Sequence, residues 1–362
     1  MTLVRKNILN VTPYVAGKPI EETKRQLGLR DVIKLASNEN PLGPSPKALS
    51  AIKRSLSAIN RYPDSSGFYL KSRIAKALNL KAENIVLGNG SDELIDIIIK
   101  TFVEDDETII TADTTFLEYE IISRVNSRKV VTVPLKYFKF DLGAIRRQID
   151  RKTKLVFIAN PNNPTGTYVT KFELNDFLAD LPEGVILVLD EAYDLFIDVD
   201  DYLSGTKLFS KNNIIVLKTF SKAYGLAGLR IGYAVARPEF TSFMERVRQP
   251  FNVNALALAA ASAALEDKKF VKKIRKINSE GKEYIYASLA KMGIPYVSSV
   301  ANFVLIDVGR DCLGVFKDML KYGVIVRDMK QYGLNNFIRV TIGTKKENER
   351  FIRVLRKIQG GQ

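Results

Sequence analysis

The sequence predicts an α/β fold built around a mostly parallel sheet of about seven strands, followed by a smaller α+β region. Seven short runs rich in Val and Ile lie between residues 85 and 235, and each is continuously apolar, as is typical of strands buried on both faces. Helical patterns such as that over 92–102 separate several runs, which is the alternation that a parallel sheet requires. The runs are 85–87, 108–110, 130–133, 155–158, 185–189, 214–217 and 231–235.

The pattern changes beyond about residue 250. Helical stretches at 255–266 and 268–291 precede strand-like segments at 302–308, 323–327 and 337–342, with further helices near 312–322 and at the end. A chain of 362 residues with 46% hydrophobic residues is long enough for two domains. We therefore predict an N-terminal arm over residues 1–33 that covers the small domain, a large domain over 34–250 and a small α+β domain over 251–362.

The composition excludes much of enzyme chemistry. The chain has no histidine and one cysteine, so histidine-dependent nucleophiles and imidazole or multi-cysteine metal sites are excluded, and we expect no metal. Acid–base chemistry must use Lys, Tyr, Asp, Glu or a cofactor. A lone cysteine fits a reducing compartment. The N-terminus has no signal-peptide pattern, and the longest apolar run, 255–265, is too short for a bilayer. We predict a soluble, cytoplasmic protein without a membrane partner.

The formal charge of +15 could attract a nucleic acid, a membrane surface or a phosphorylated small molecule. The basic residues are scattered, and no nucleic-acid-binding motif is present, so we expect no nucleic-acid partner. A regulator that carries an enzyme-like domain would need an appended DNA-binding module, and a salt-dependent gel shift would test that alternative.

The first candidate site follows the run 85–87. Ligands of open α/β sheets bind at the carboxyl ends of the strands. Small residues over 88–92 precede an apolar helix there, so the backbone N–H groups of Gly90, Ser91 and Asp92 can converge on an anion. The alternative is an ordinary loop with Ser91 as the N-cap. Glu93 stands where a dinucleotide-binding loop would have its third glycine, which excludes that motif.

Two further strand ends carry polar residues. After the run 155–158, two prolines define a turn that presents Asn163, although the segment alone is compatible with a plain turn. After the run 185–189 comes Asp190, with Tyr193 three residues on. A carboxylate that ends a buried strand is costly unless it meets a positive partner or a metal. A structural N-cap is the alternative for Asp190.

The fourth strand end carries a lysine. Lys222 follows the run 214–217, where burial would lower its pKa and make the amine nucleophilic. Such lysines form Schiff bases, including the one with pyridoxal phosphate. The hydroxyls of Thr219 and Ser221 and the guanidinium of Arg230 are suited to a phosphate group. A surface lysine is the alternative.

Taken together, these motifs resemble those of the fold-type I pyridoxal-phosphate aminotransferases, over nearly the whole chain. The matching features are Asn163-Pro-Thr-Gly, Asp190-x-x-Tyr193, Ser221-Lys222, and Arg230 eight residues on. The resemblance implies that Lys222 binds the cofactor covalently and moves the substrate proton, and that Asp190 pairs with the pyridinium nitrogen. It assigns Asn163 and Tyr193 to the phenolic oxygen and Phe116 to stacking on the ring. The implied phosphate site comprises Gly90, Ser91, Asp92, Thr219, Ser221 and Arg230.

Within that family the chain most resembles the histidinol-phosphate aminotransferases. The similarity lies in residues 12–14, 35–44, 61–64 and 248–254. It implies a homodimer in which Tyr62 reaches the partner's cofactor phosphate. It also implies a ping-pong Schiff-base reaction of histidine biosynthesis, in which L-histidinol phosphate and 2-oxoglutarate interconvert with imidazole-acetol phosphate and L-glutamate.

Substrate recognition rests on two arginines. Ile338, Val340 and Ile342 alternate as a core face, which turns Arg339 to the other side of its strand, and Arg327 follows the strand-like residues 324–326. By resemblance, both arginines, together with Tyr14 and Asn38, bind the substrate, with its phosphate on the arginines and Tyr14. For Arg327, an exposed strand-end cation is the alternative. Because arginine binds carboxylate and phosphate alike, an aromatic-amino-acid aminotransferase and a threonine-phosphate decarboxylase remain open alternatives.

Overall fold

The computed structural model of the chain describes residues 3–360, so residues 1–2 of the predicted arm and 361–362 of the predicted small domain lie outside it. The helices within this range are α1 Ile20–Leu27, α2 Pro46–Ser55, α3 Phe68–Leu78, α4 Ser91–Phe102, α5 Glu118–Val125, α6 Leu142–Gln148, α7 Lys171–Ala179, α8 Pro238–Val247, α9 Ala255–Leu265, α10 Lys268–Lys291, α11 Cys312–Lys321 and α12 Lys345–Gln359. Across the described chain, no helix is long and apolar enough to cross a membrane.

A seven-stranded sheet forms the centre of the fold, in the order β2-β8-β7-β6-β5-β3-β4. All neighbouring strands pair in parallel except β8, which is antiparallel to β2 and β7. The seven predicted runs are these seven strands, so the predicted sheet is confirmed. The strands are β2 Ile85–Gly88, β3 Thr108–Ala112, β4 Lys129–Val133, β5 Thr153–Ala159, β6 Ile186–Asp190, β7 Ile214–Thr219 and β8 Gly232–Val235.

Burial explains why most of the runs are continuously apolar; the exception is the edge strand β4, in which only Val133 is buried. Every residue of β2, β3, β6 and β8 is buried. The helices that pack against the sheet contribute side chains such as Leu94 and Ile98 of α4 to the same hydrophobic core, which also contains Leu187 and Val216 from the strands. A strand covered on both sides has no polar face, so the apolar–polar alternation of a half-buried strand is absent.

A second sheet and a second core occupy the carboxyl-terminal region. Four antiparallel strands lie in the order β12-β13-β10-β9, and the predicted segments 302–308 and 337–342 contain β10 and β13. The predicted strand 323–327 is instead two short strands in different sheets, because β11 pairs in parallel with β1. The strands are β1 Ile33–Lys34, β9 Tyr296–Val297, β10 Phe303–Asp307, β11 Val324–Ile325, β12 Arg327–Asp328 and β13 Phe337–Thr341.

Helix α9 packs with the hydrophobic core of the seven-stranded sheet, although it lies beyond the predicted domain boundary at residue 250. Its buried face, which includes Ala257, Ala260 and Ala264, packs against α2 and α3. Small side chains allow the helices to approach closely, and Asn254 caps the helix by accepting from the Ala257 N–H at 2.8 Å. Packing with the large sheet therefore continues to about residue 265.

The sheet topology directs the candidate residues to one edge. Strands β5, β6 and β7 are parallel, so the segments that follow their carboxyl ends lie side by side. Strand β8 runs the opposite way, and Gly232 at its beginning pairs with Gly88 and Thr219 at the ends of β2 and β7. Arg230, just before β8, therefore reaches the same edge as the residues that follow β2 and β7.

Candidate active site

A cavity of about 460 Å³ lies at this edge of the sheet. Its wall combines the loops after the strands, the segment 14–39 and one residue of β13. The volume lies within the range of sites that hold small molecules and cofactors. The predicted site residues that line it are Tyr14, Asn38, Ser91, Asp92, Phe116, Asn163, Asp190, Tyr193, Thr219, Ser221, Lys222, Arg230 and Arg339.

The amine of Lys222 projects into this cavity from the loop after β7. Its Nζ donates to the carbonyl of Ser37 at 3.2 Å and lies 5.7 Å from the centroid of the Tyr193 ring. Burial, followed by the positive charge of Arg339, lowers the pKa of Lys222 from 10.5 to about 8. A substantial fraction of this amine is therefore neutral near physiological pH, as a nucleophile or general base requires.

Asp190 is the last residue of β6 and is buried. The hydroxyl of Tyr119 donates to Oδ2 at 2.7 Å, and the N–H of Ala192 donates to Oδ1 at 3.0 Å. The bond from the Ala192 N–H is the contact that a purely structural, capping role of Asp190 would make. No cation within residues 3–360 pairs with the carboxylate. Burial, opposed by the Tyr119 bond, raises its pKa to about 6, so a cationic ligand group would be strongly favoured beside it.

A hydrogen-bonded group joins the two sheets across the cavity. Asn38 donates from Nδ2 to the hydroxyl of Tyr193 at 2.9 Å, and Arg339 donates to Asn163 Oδ1 and to the carbonyl of Ala36 at 2.8 Å. Burial, opposed by the charge of Arg339, raises the pKa of Tyr193, so its hydroxyl keeps its proton. The Nε of Arg339 is buried and has no partner in the described chain.

The loop before α4 has the geometry of an anion site. Gly90 is the N-cap with φ +86°, and a Cβ there would lie 2.5 Å from the Arg230 guanidinium. Ser91 is the first helical residue, not the N-cap of the alternative interpretation, and the cap makes no side-chain hydrogen bond. Arg230 pairs with Asp92 at 2.9 Å. The first-turn N–H groups, the helix dipole and a guanidinium therefore converge at one point.

Three predicted site residues do not line the cavity. Gly90 lies behind its wall, next to Arg230. Tyr62 is 83% exposed and stacks on Phe251 with a centroid distance of 4.8 Å. Arg327 is buried and not an exposed strand-end cation: it donates to the carbonyl of Val15 at 2.6 Å and its guanidinium lies 5.4 Å from the centroid of the Tyr14 ring. Arg327 thus holds the arm that brings Tyr14 to the cavity.

Comparison with known proteins identifies the family. The protein-family model described as aminotransferase class I and II matches residues 30–355 of the chain. The chain belongs to the class I and II aminotransferases. A Moorella thermoacetica protein named histidinol-phosphate aminotransferase is 48% identical over 356 residues, covering 98% of this chain and 92% of that protein.

Solved structures of other family members are closely similar to this aminotransferase. Histidinol-phosphate aminotransferase from Sinorhizobium meliloti, in complex with pyridoxal-5'-phosphate, superposes with a TM-score of 0.91 at 29% identity, covering 100% of this chain and 98% of that one. L-threonine-O-3-phosphate decarboxylase from Porphyromonas gingivalis superposes with a TM-score of 0.80 at 25% identity, covering 91% and 100%. The fold accordingly accommodates more than one reaction.

Sequence reasoning missed the function of Tyr119 in this aminotransferase. The residue is fully buried, stacks on Phe157 with centroids 4.9 Å apart, and holds Asp190 through its hydroxyl. Tyr119 occupies an apolar position in a helical pattern, which is typical of an ordinary core residue. The pattern therefore gives no indication that its hydroxyl group has a role. The one available signal was that a buried tyrosine hydroxyl needs a hydrogen-bond partner, although the sequence does not identify which residue that is.

Because Asp190 is buried and uncompensated, Asp190→Asn should stabilise the cofactor-free aminotransferase. The folded pKa of about 6 lies above the unfolded value near 3.8, so wild type loses stability as the pH rises from about 4 through 6. The Asp190→Asn variant has no such titration at this position. The difference in free energy of unfolding between the variant and wild type should therefore grow over that pH range to about 1–3 kcal/mol at pH 8. Urea unfolding of both proteins from pH 4 to 8 measures this. An advantage that stays flat across that range would contradict the burial argument.

Proposed function

We propose that this aminotransferase uses pyridoxal phosphate, bound in the cavity described above. The donor set supports it: an amine of low pKa at Lys222, a buried carboxylate without a cation at Asp190, and an anion site at the start of α4. Phe116 lies at the wall and is placed to stack on a ring. Thr219, Ser221 and Arg230 complete the proposed phosphate site, with the backbone of Gly90, Ser91 and Asp92.

Each protein group has a separate proposed task. Bound pyridoxal phosphate supplies an aldehyde that condenses with amines and a ring that accepts electrons. Lys222 holds the cofactor, is released by the substrate amine and then accepts the proton from the substrate Cα. Asp190 keeps the ring nitrogen protonated, which also removes the cost of its own burial. Tyr193 and Asn163 hydrogen-bond the phenolic oxygen.

We infer that the substrates are L-histidinol phosphate and 2-oxoglutarate, giving imidazole-acetol phosphate and L-glutamate in histidine biosynthesis. The observation that carries this proposal is the cavity that combines Lys222, Asp190 and the buried Arg339. The chain that forms it is 48% identical to a relative named histidinol-phosphate aminotransferase. Arg339 and Tyr14, which both line the cavity, are proposed to bind the substrate phosphate. Arg327 supports Tyr14 from behind, and Asn38 orients Tyr193.

We also propose a cytoplasmic homodimer. Exposed apolar side chains lie close to Tyr62 in the sequence and, at Phe251, in direct contact with it, and we propose that a second copy of the chain covers them. The only cysteine, Cys312, is free and buried. The members of the exposed group are Leu56, Ile59, Tyr62, Phe68, Tyr69 and Phe251. Within each subunit, we propose an arm over 1–33, a large domain and a small domain, with α9 packed on the large one.

Replacing the proposed cofactor-binding lysine should abolish the reaction. Lys222→Ala removes the amine that both attaches the cofactor and moves the proton, so turnover should fall below about one thousandth of wild type with the cofactor still bound non-covalently. Turnover assays and mass spectrometry after borohydride reduction measure both effects. Lys207→Ala, at the exposed end of the 3-10 helix Gly205–Lys207 and outside the cavity lining, is the control and should behave as wild type. A Lys222→Ala enzyme with normal rates would disprove the assignment.

A half-reaction distinguishes the three candidate substrates. Holoenzyme mixed with L-histidinol phosphate alone should lose the visible absorption band of the bound cofactor, and 2-oxoglutarate should restore it. L-Phenylalanine at the same concentration should leave the band intact. Conversion by phenylalanine only would identify an aromatic aminotransferase. If neither compound removes the absorption band, release of CO₂ from threonine phosphate is the next assay.

Hybrid dimers test whether Tyr62 acts on the partner's cofactor. Tyr62→Phe homodimers should bind pyridoxal phosphate about 10-fold more weakly, because one hydrogen bond to a charged group is lost. A hybrid of Lys222→Ala and Tyr62→Phe subunits contains one site with Lys222 from one subunit and Tyr62 from the other. If Tyr62 acts across the interface, that site has wild-type affinity and activity. If the hybrid keeps the weak affinity, Tyr62 acts within its own subunit.

A further inference from the structure

Four carboxylates line the active-site cavity, and one of them lacks a partner. The Glu118 carboxylate makes no hydrogen bond or ion pair with any residue of 3–360, whereas each of the other three has at least one such partner. The satisfied carboxylates and their partners are Glu39 with Lys34 at 3.0 Å, Asp92 with Arg230 at 2.9 Å, and Asp190 with the Tyr119 hydroxyl at 2.7 Å.

The position of Glu118 suits contact with a ligand. It is the first residue of α5 and lies between two groups of the site: Phe116, proposed to stack on the cofactor ring, and Tyr119, which holds Asp190. It is partly buried. Burial and, to a lesser degree, the negative charge of Asp92 raise the pKa of Glu118. A ligand that fills the cavity would displace the remaining water from this carboxylate, which is unfavourable unless the ligand supplies a donor or a cation.

The proposed substrate has one donor that no other residue accepts. The phosphate of histidinol phosphate is matched to Arg339, and its amine to the cofactor at Lys222. The imidazole N–H remains, and it is a donor in both protonation states of the ring. Glutamate and 2-oxoglutarate offer only a further carboxylate at the corresponding end of the molecule, so the need for an acceptor is specific to the imidazole substrate.

We propose that Glu118 is a specificity-determining residue that accepts a hydrogen bond from the imidazole ring of the substrate, an inference that rests on the proposed function. A phenyl ring in that place leaves the carboxylate desolvated and unpaired, and a site that expects a hydrogen-bond donor discriminates strongly against an analogue without one. Glu118 would thus separate histidinol phosphate from aromatic amino acids, which Arg339 alone cannot do.

Two substrates that differ only in the ring test this inference. L-Histidinol phosphate and L-phenylalaninol phosphate share the amine and the phosphate, and kcat/KM is measured for both with holoenzyme. Glu118→Leu should lower kcat/KM for histidinol phosphate about 10- to 100-fold, as expected for the loss of a hydrogen bond to a charged group. For phenylalaninol phosphate, and for the half-reaction with glutamate, whose second carboxylate would lie near the Glu118 carboxylate, the variant should be no slower than wild type.

Matched variants separate this effect from damage to the fold. Glu120→Leu removes the same charge from the same helix, but Glu120 pairs with Arg124 outside the cavity lining and should leave the substrate ratio unchanged. If Glu118→Leu fails to retain cofactor, Glu118→Met, which is close in size to glutamate and has no acceptor oxygen, decides through the same ratio. Equal losses for both ring types, or no loss for either, would overturn the inference. A wild-type enzyme that ignores histidinol phosphate would instead overturn the proposed function.

Discussion

The active site depends on two buried charged groups that do not neutralise each other. Asp190 ends β6, and Lys222 follows the neighbouring β7, so the parallel sheet brings both to one edge. Burial moves their pKa values in opposite directions, that of Asp190 up to about 6 and that of Lys222 down to about 8. Burial therefore disfavours the charged form of each group in the cofactor-free protein, and this pair fits a cofactor that carries a cationic ring nitrogen and an aldehyde.

A neighbouring group of charged residues, by contrast, is satisfied entirely within the protein. Lys218 of β7 contacts Glu191 at 2.7 Å and Asp194 at 2.5 Å, and Glu191 also accepts from Ser204 and from the Gly205 N–H. Burial acts to lower the pKa of Lys218, but the two carboxylates outweigh it and raise the pKa. Every charge here has a partner inside the protein, so the group fixes the backbone that carries Asp190 and Tyr193 and needs no ligand.

The sequence predicts those parts of the molecule that follow from local pattern and sheet topology. Strands buried on both faces are visible as apolar runs, and parallel strands necessarily bring their following loops together, which predicts one site from four separate segments. Strands β1 and β9 have two residues each, too few for a pattern. Arg327 could not be placed from sequence either, because its partner Val15 lies 312 residues away and only tertiary packing brings the two together. The same holds for the Tyr119–Asp190 bond.

In the proposed reaction, the position of Arg339 links binding of an anionic substrate to the chemistry at Lys222. The positive charge of Arg339 is the second cause, after burial, of the low pKa of that lysine. A substrate phosphate bound to Arg339 would compensate this charge and so raise the pKa of Lys222. In the cofactor-free protein the low pKa leaves the amine more often neutral and ready to attach the cofactor; once the substrate amine has released Lys222, the higher pKa would make it a stronger base for the Cα proton. Because Arg339 lies on β13 and bonds Asn163 and the Ala36 carbonyl, this coupling depends on the correct packing of the two sheets and the N-terminal segment.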